Sequence, residues 1–221
     1  MVAIISADIV RSTSLGTREQ LDLRDKLRGL FEVFETDFPG FWARIVRGDS
    51  IECYVPEYRY ALRIAILIKL FVKIQARKYE CAEQLLRHGI RFSIGVADID
   101  YASKMDDMIN GPAIYIAGRN LDAIDGRSTV FTSFELDNAS KSVSLMLDSY
   151  VALVGNLVDS YSAKQSEVIF YKLRGYKEVE IAAKLGLSQS AVNMRSSFAQ
   201  WNLLNEAILD FENLNFEKLC G

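Results

Sequence analysis

The chain has 221 residues, half of them apolar and a quarter charged, with a net charge of −3. This suits a folded protein with a sizeable core and excludes a globally basic nucleic-acid binder, so any positive surface must be local. Three scattered cysteines (Cys53, Cys81, Cys220) without CxxC spacing and a single histidine, His88, argue against a zinc site and for a reducing, cytoplasmic setting.

The first apolar run, "VAIISAD" (2–8), predicts a central strand that ends on Asp8. Leu21, Leu23, Leu27, Leu30, Phe31, Val33 and Phe34 recur at helical spacing, which predicts a helix from Thr17 to Phe38, broken by Pro39-Gly40. "FWARIVRGDSIECYV" (41–55) predicts two strands around a tight turn at Arg47-Gly48-Asp49-Ser50. A helix over 57–79 follows. Its stretch "ALRIAILIKLFVKI" (61–74) is the most apolar of the chain, yet it is short and carries Arg63, Lys69 and Lys73. It predicts a helix buried on most sides rather than a membrane span, and no signal peptide is visible.

"IRFSIGVADI" (90–99) predicts a further strand, Gly111-Pro112 opens a helix to Ile124, and "STVFTS" (128–133) predicts a short strand. The order βαββαβ followed by αβ predicts an α+β domain of the ferredoxin-like or palm type, with helices on one face of the sheet. Helical spacing dominates from about 143. A boundary in "ELDNASKS" (135–142) then divides the chain into an α+β domain at 1–140 and an all-α part at 141–221 that begins with a connecting helix.

In this topology Asp8 ends the first strand and Asp49 sits in the hairpin turn, so the two carboxylates can converge on one rim. Such a pair suits Mg²⁺, which takes hard oxygen ligands and leaves positions for substrate phosphates. The other reading is plain turn chemistry, with Asp8 capping the turn after the strand.

"EVEIAAKLGLSQSAVNMRSS" (178–197) has helix-turn-helix spacing: Ala182 is small where helices cross, Gly186 suits the left-handed turn, and Val192 plugs the core with Ile181, Leu185 and Leu187. Ser188 is placed to cap the second helix. Its outward positions Gln189, Ser190, Asn193, Met194 and Ser197 carry mostly amide and hydroxyl groups that can bond base edges of duplex DNA. Lys177, Lys184 and Arg195 are candidate phosphate contacts. Residues 162–200 carry six Lys or Arg against three Glu, which makes this unit locally positive; the other reading is a helical hairpin used for protein contact. So few phosphate contacts imply weak binding unless the protein is a homodimer. "FAQWNLLNEAILDFENLNFEKL" (198–219) predicts an extension of the third helix, with Phe198, Trp201, Leu204, Ile208 and Phe211 as an apolar stripe for core packing or a dimer seam.

"ADIVRST" with "RGDSIECYV" resembles class III nucleotide cyclases, as do "SIGVA" (94–98) and "GPAIYIAGRNLDA" (111–123). That resemblance covers most of residues 1–133. It implies that Asp8 and Asp49 bind Mg²⁺ and that Arg119 meets a nucleotide; Gly48 would let backbone approach a phosphate closely, and the hydroxyls of Ser12 and Thr13 after Asp8 are further candidate nucleotide contacts. Against the family pattern, Tyr115 stands at the transition-state asparagine, Ile45 at the base-reading lysine and Met108 at the second base-reading position. Residues 163–195 resemble the promoter-reading region of bacterial sigma factors, and the whole chain looks most like the bacterial SatD family, which pairs two such parts. The expectation is a DNA-binding transcriptional regulator whose cyclase-like domain senses a nucleotide or a partner; the alternative is a Mg²⁺-dependent nucleotide-processing enzyme with a helical accessory domain.

Overall fold

The branched run Val2–Ile9 forms β1, the central strand of a five-stranded sheet; the structure, a computed structural model, describes residues 1–46, 48–80, 83–124 and 130–220. Ala3, Ile5, Ala7 and Ile9 enter one core and Ile4 enters another, which is why the run is apolar on both faces as far as Ile5 instead of alternating from its start. β1 is antiparallel to β3 (Ser50–Val55) on one side and to β4 (Ile90–Ala97) on the other. β2 (Trp42–Val46) pairs with β3, and β7 (Thr132–Leu136) adds parallel to β4. The order β2-β3-β1-β4-β7 is the ferredoxin-like arrangement with one strand appended.

α1 (Thr17–Asp37) and α2 (Ala61–Ala76) pack in the larger core, whereas α4 (Pro112–Ala123) packs in the smaller one on the opposite face. Helices therefore cover both faces, which corrects the one-face expectation. Gly95 makes the second layer possible: a Cβ there would lie 2.5 Å from the Ala113 carbonyl oxygen, so only glycine lets α4 approach β4 so closely. Along α1, Leu23, Leu27, Leu30, Phe31 and Phe34 are buried, while Leu21 and Val33 are exposed.

A short helix, α3 (Glu83–His88), and the hairpin of β5 (Tyr101–Ser103) and β6 (Met108–Asn110) have no counterpart in the sequence reading. α2 begins at Ala61 rather than 57, after a 3-10 turn at Tyr58–Tyr60. The last strand falls at Thr132–Leu136 rather than 128–133, because Thr132, Phe134 and Leu136 alternate inward. Residues 128 and 129 of the expected strand, and Arg47 of the hairpin turn, lie outside the described residues.

α5 (Lys141–Asp159) is more than a connector. It buries Leu147, Val151, Val154 and Val158 in the larger core, and Gly155 lets it ride directly over Thr132. α6 (Ala163–Leu173), α7 (Glu178–Leu185), α8 (Gln189–Phe198) and α9 (Trp201–Asn213) follow. The apolar core runs through residue 140 without a break, with the Phe134 ring 5.5 Å from that of Phe211 and 5.8 Å from that of Phe216.

The expected extension of the third helix is also corrected. Gln200 adopts a left-handed conformation with φ +52° and separates α8 from α9. The redirected α9 buries Leu204, Ile208 and Phe211, but Phe198 is left 75% exposed on the far side of the break. Among the described residues, no helix is long and apolar enough to cross a membrane.

Candidate functional site

The register of β1 decides what surrounds Asp8. Its cross-strand partners are Ser50 on β3 and Arg91 on β4. Ser50 donates its hydroxyl to Asp8 Oδ1 at 2.6 Å, and Arg91 donates from Nε at 3.2 Å and Nη2 at 2.8 Å to Oδ2. Arg91 Nη1 also donates to the Ile124 carbonyl at 2.6 Å. The β2–β3 turn is tied to the end of β1 by the Ile9 amide, which donates to the Asp49 carbonyl at 3.2 Å. The Asp49 carboxylate accepts from the Ser12 hydroxyl at 2.5 Å.

A cleft of about 500 Å³ opens here, walled by Asp8, Arg11, Ser12, Thr13, Asp49 and Arg91 among others. A smaller recess of about 220 Å³ adds Gly48 beside Ser12, Thr13 and Asp49. Five of the sequence-predicted residues, Asp8, Ser12, Thr13, Gly48 and Asp49, thus border adjoining cavities. Arg119 borders neither; its guanidinium pairs with Glu135 at 3.0 Å. At the positions where the cyclase pattern is not kept, Tyr115 donates its hydroxyl to Asn110, Ile45 packs against the core, and neighbouring Arg44 is held by Glu52 and the Asp107 carbonyl.

A divalent ion would find two hard carboxylates at this cleft, Asp8 and Asp49. One of them already carries a cation: the Arg91 guanidinium makes both of its contacts to Asp8 Oδ2. Among the described residues no three His, Cys, Asp or Glu side chains cluster to hold a metal. The donor set does not fit an ion while the Asp8–Arg91 pair is made, because the arginine's charge stands where the ion's charge would.

The helical pair is built locally. Val168 of α6, Ile181 and Ala182 of α7 and Val192 of α8 form a small core of their own. Gly186 turns the chain at φ +64°, and Ser188 caps α8 by accepting from the Ala191 amide at 3.2 Å. Gln189, Ser190, Asn193, Met194 and Ser197 are exposed along α8. Lys177 is exposed at the start of α7, and Lys184 is exposed with its ammonium 5.0 Å from the centre of the Tyr176 ring. Arg195 is partly buried, with its guanidinium 3.9 Å from Glu167.

The most polar part of the interior escaped the sequence reading. Lys69 and Lys73, one turn apart on α2, are fully buried. Lys69 pairs with Asp159 at 2.7 Å and donates to the Ile90 carbonyl at 2.9 Å. Lys73 donates to the Val158 carbonyl at 2.6 Å, and His88 Nδ1 lies 2.6 Å from Asp159. His88 stacks on Phe131, 4.0 Å between ring centres, and Phe131 lines the cleft. Two lysines at i and i+4 in the most apolar helix, with the only histidine of the chain, were the available signal.

Burial, with Lys69 beside it, pushes the Lys73 ammonium down to about 7 from the ordinary 10.5. Between those two pH values the unfolded chain keeps this proton and the folded protein has released it. Stability therefore rises with pH through the window and falls as pH drops back through it. Lys73→Met removes this titration, so its stability–pH slope between pH 7 and 10.5 is expected to be flatter than that of the wild type. Denaturant titrations across that range check it, and an unchanged slope contradicts it.

No family model matches the chain, and no curated protein matches it. Two similar solved structures are both of a bacterial light-regulated adenylyl cyclase. The first shares 17% identity at a TM-score of 0.38, over 61% of this chain and 42% of that one. The second shares 14% identity at a TM-score of 0.35, over 61% of this chain and 74% of that one. The chain thus spans less than half the length of the first.

Proposed function

We propose that the protein is a DNA-binding regulator that senses a nucleotide-class ligand at the Asp8–Asp49 cleft. The observation that carries the DNA side is the exposed row Gln189, Ser190, Asn193 and Ser197 on α8, set on its own small core by the Gly186 turn. A helix so presented, with amide and hydroxyl groups outward, is shaped for the major groove. Lys177 and Lys184 flank it for phosphate contact. Arg195 is held back by Glu167, so the phosphate contribution is small and affinity rests on a homodimer that doubles the contacts. The pairing of such a unit with a cyclase-like cleft is also the SatD arrangement that the motifs resemble.

Selection from random duplexes at low salt tests this. Enrichment of a sequence is expected. Asn193→Ala is expected to relax preference at one base pair, a cost of about 1–3 kcal/mol. Lys184→Ala is expected to weaken all sequences alike and to lower the salt slope by about one. No enrichment, together with unchanged residual binding by Lys184→Ala, refutes the reading and leaves a protein-contact module.

The enzyme reading has one observation in its favour: Asp8 and Asp49 line a single cleft. The adenylyl cyclases named above make cyclisation the activity to assay. Little or no cyclic product is expected from ATP or GTP with Mg²⁺ or Mn²⁺. Arg119 is turned to Glu135, Tyr115 replaces an asparagine, and losing one preorganised polar group at a developing charge costs on the order of 100- to 1000-fold. Robust protein-dependent cyclic product would reverse the choice.

A further inference from the structure

We infer that the cleft beside Asp8 takes a singly phosphorylated, hydroxyl-bearing small molecule, a nucleoside monophosphate or sugar phosphate, on Arg91 and Arg11 without a divalent ion. This rests on the ligand-sensing half of the function proposed above and names its ligand class. Asp8 is then the group that aims Arg91, a positioning residue rather than a metal ligand.

Arg91 has five N–H groups, and the two contacts to Asp8 and the one to Ile124 use three of them. The remaining two, one on each terminal nitrogen, belong to a guanidinium that is held by these contacts and lines the cleft, so it can donate to a phosphate without first being ordered. Arg11 is the second cation of the wall; its Nε donates to Gln84 at 3.0 Å, and its backbone takes a left-handed turn at φ +55° two residues after β1 ends. The hydroxyls of Ser12 and Thr13 stand beside it.

Asp49 sets the limit on charge. It lines the same cleft, with Ser12 donating to one of its oxygens. A carboxylate here repels further phosphates and accepts from hydroxyls, as a ribose or other sugar supplies. The two arginines and the two carboxylates of the wall sum to zero charge, so each phosphate added to a ligand adds repulsion from Asp49 that no further wall cation offsets, which favours one phosphate over three. The volume of about 500 Å³ lies within the usual range of small-ligand pockets.

The test is calorimetric titration of the full chain with adenosine and guanosine monophosphates, ribose 5-phosphate, inorganic phosphate and ATP, each with EDTA and with Mg²⁺. The monophosphates are expected to bind in EDTA, with affinity unchanged by Mg²⁺, and ATP to bind more weakly. A nucleoside monophosphate tighter than ribose 5-phosphate supports a nucleotide ligand; equal affinity supports a sugar phosphate. Inorganic phosphate binding as tightly as either overturns the hydroxyl requirement.

Arg91→Ala is expected to weaken binding by roughly 10- to 100-fold, with Arg91→Lys recovering part of the loss. Arg91→Ala leaves Asp8 with the Ser50 hydroxyl but no cation, so Arg11→Ala, at an exposed position, is the second variant and is also expected to weaken binding. Binding only with Mg²⁺, or only by ATP with Mg²⁺, overturns the inference while leaving a nucleotide-binding reading intact. Unchanged binding by both arginine variants overturns it as well. Failure of every phosphorylated probe to bind the folded wild type removes the ligand-sensing reading too.

Discussion

Replacing Asp159 with alanine is expected to cost about 3–5 kcal/mol of folding stability, the usual effect of leaving a buried charge without its partner. Lys69 has no exposed surface, and its ammonium lies 2.7 Å from Asp159 Oδ1. Burial alone lowers the Lys69 pKa and raises that of Asp159. For Asp159 the contacts from His88 and Lys69 outweigh burial and hold its carboxyl below the ordinary carboxylate value. Without that carboxylate, the lysine keeps only the Ile90 carbonyl and must release its proton or draw water inward. His88 would also lose its Nδ1 partner beneath Phe131. Denaturant unfolding of Asp159→Ala against wild type at neutral pH measures the cost. A difference under about 1 kcal/mol, the value of an exposed pair, would show that the cluster is not held as an ion pair.

Phe211→Ala is expected to lower stability by about 3–5 kcal/mol, the range for removing a fully buried phenylalanine, and to do so in a single cooperative transition. Phe211 lies on α9, yet its ring meets Phe134 of β7 edge-on at 5.5 Å and Phe216 at 5.3 Å. Arg63 of α2 reinforces the same junction by pairing with Glu212 at 2.6 Å, with both side chains mostly buried. A cavity at Phe211 therefore weakens the sheet and the C-terminal helices together. Calorimetry is the measurement. Two separated transitions, with only one moved by the substitution, would show that the segments before and after residue 140 unfold independently.

Features that depend on neighbours along the chain were readable from residue order. The apolar run of β1, the glycine turn at Gly48, proline at the head of α4, the cap at Ser188 and the left-handed Gly186 were legible because each is a local conformational preference. Spacing also brought Asp8 and Asp49 to one rim, since the βαββαβ order places β1 beside the β2–β3 hairpin. Residue type could not reveal their partners. Arg91 meets Asp8 only through the β1–β4 register, across 83 positions of sequence, and that contact gives the expected metal ligand an ion-pair partner that residue type alone did not announce. Lys69, Lys73, His88 and Asp159 are likewise gathered from α2, α3 and α5 by packing alone.

Which apolar stripes are used, and against what, was settled by long-range packing. α4 needed the absent side chain of Gly95 to cover the second face of the sheet. The left-handed Gln200 split the expected long helix, burying Leu204 and Ile208 while leaving Phe198 in solvent. A helical period states that a face is apolar; the free energy of removing that face from water is gained only against a complementary surface, and long-range contacts choose that surface.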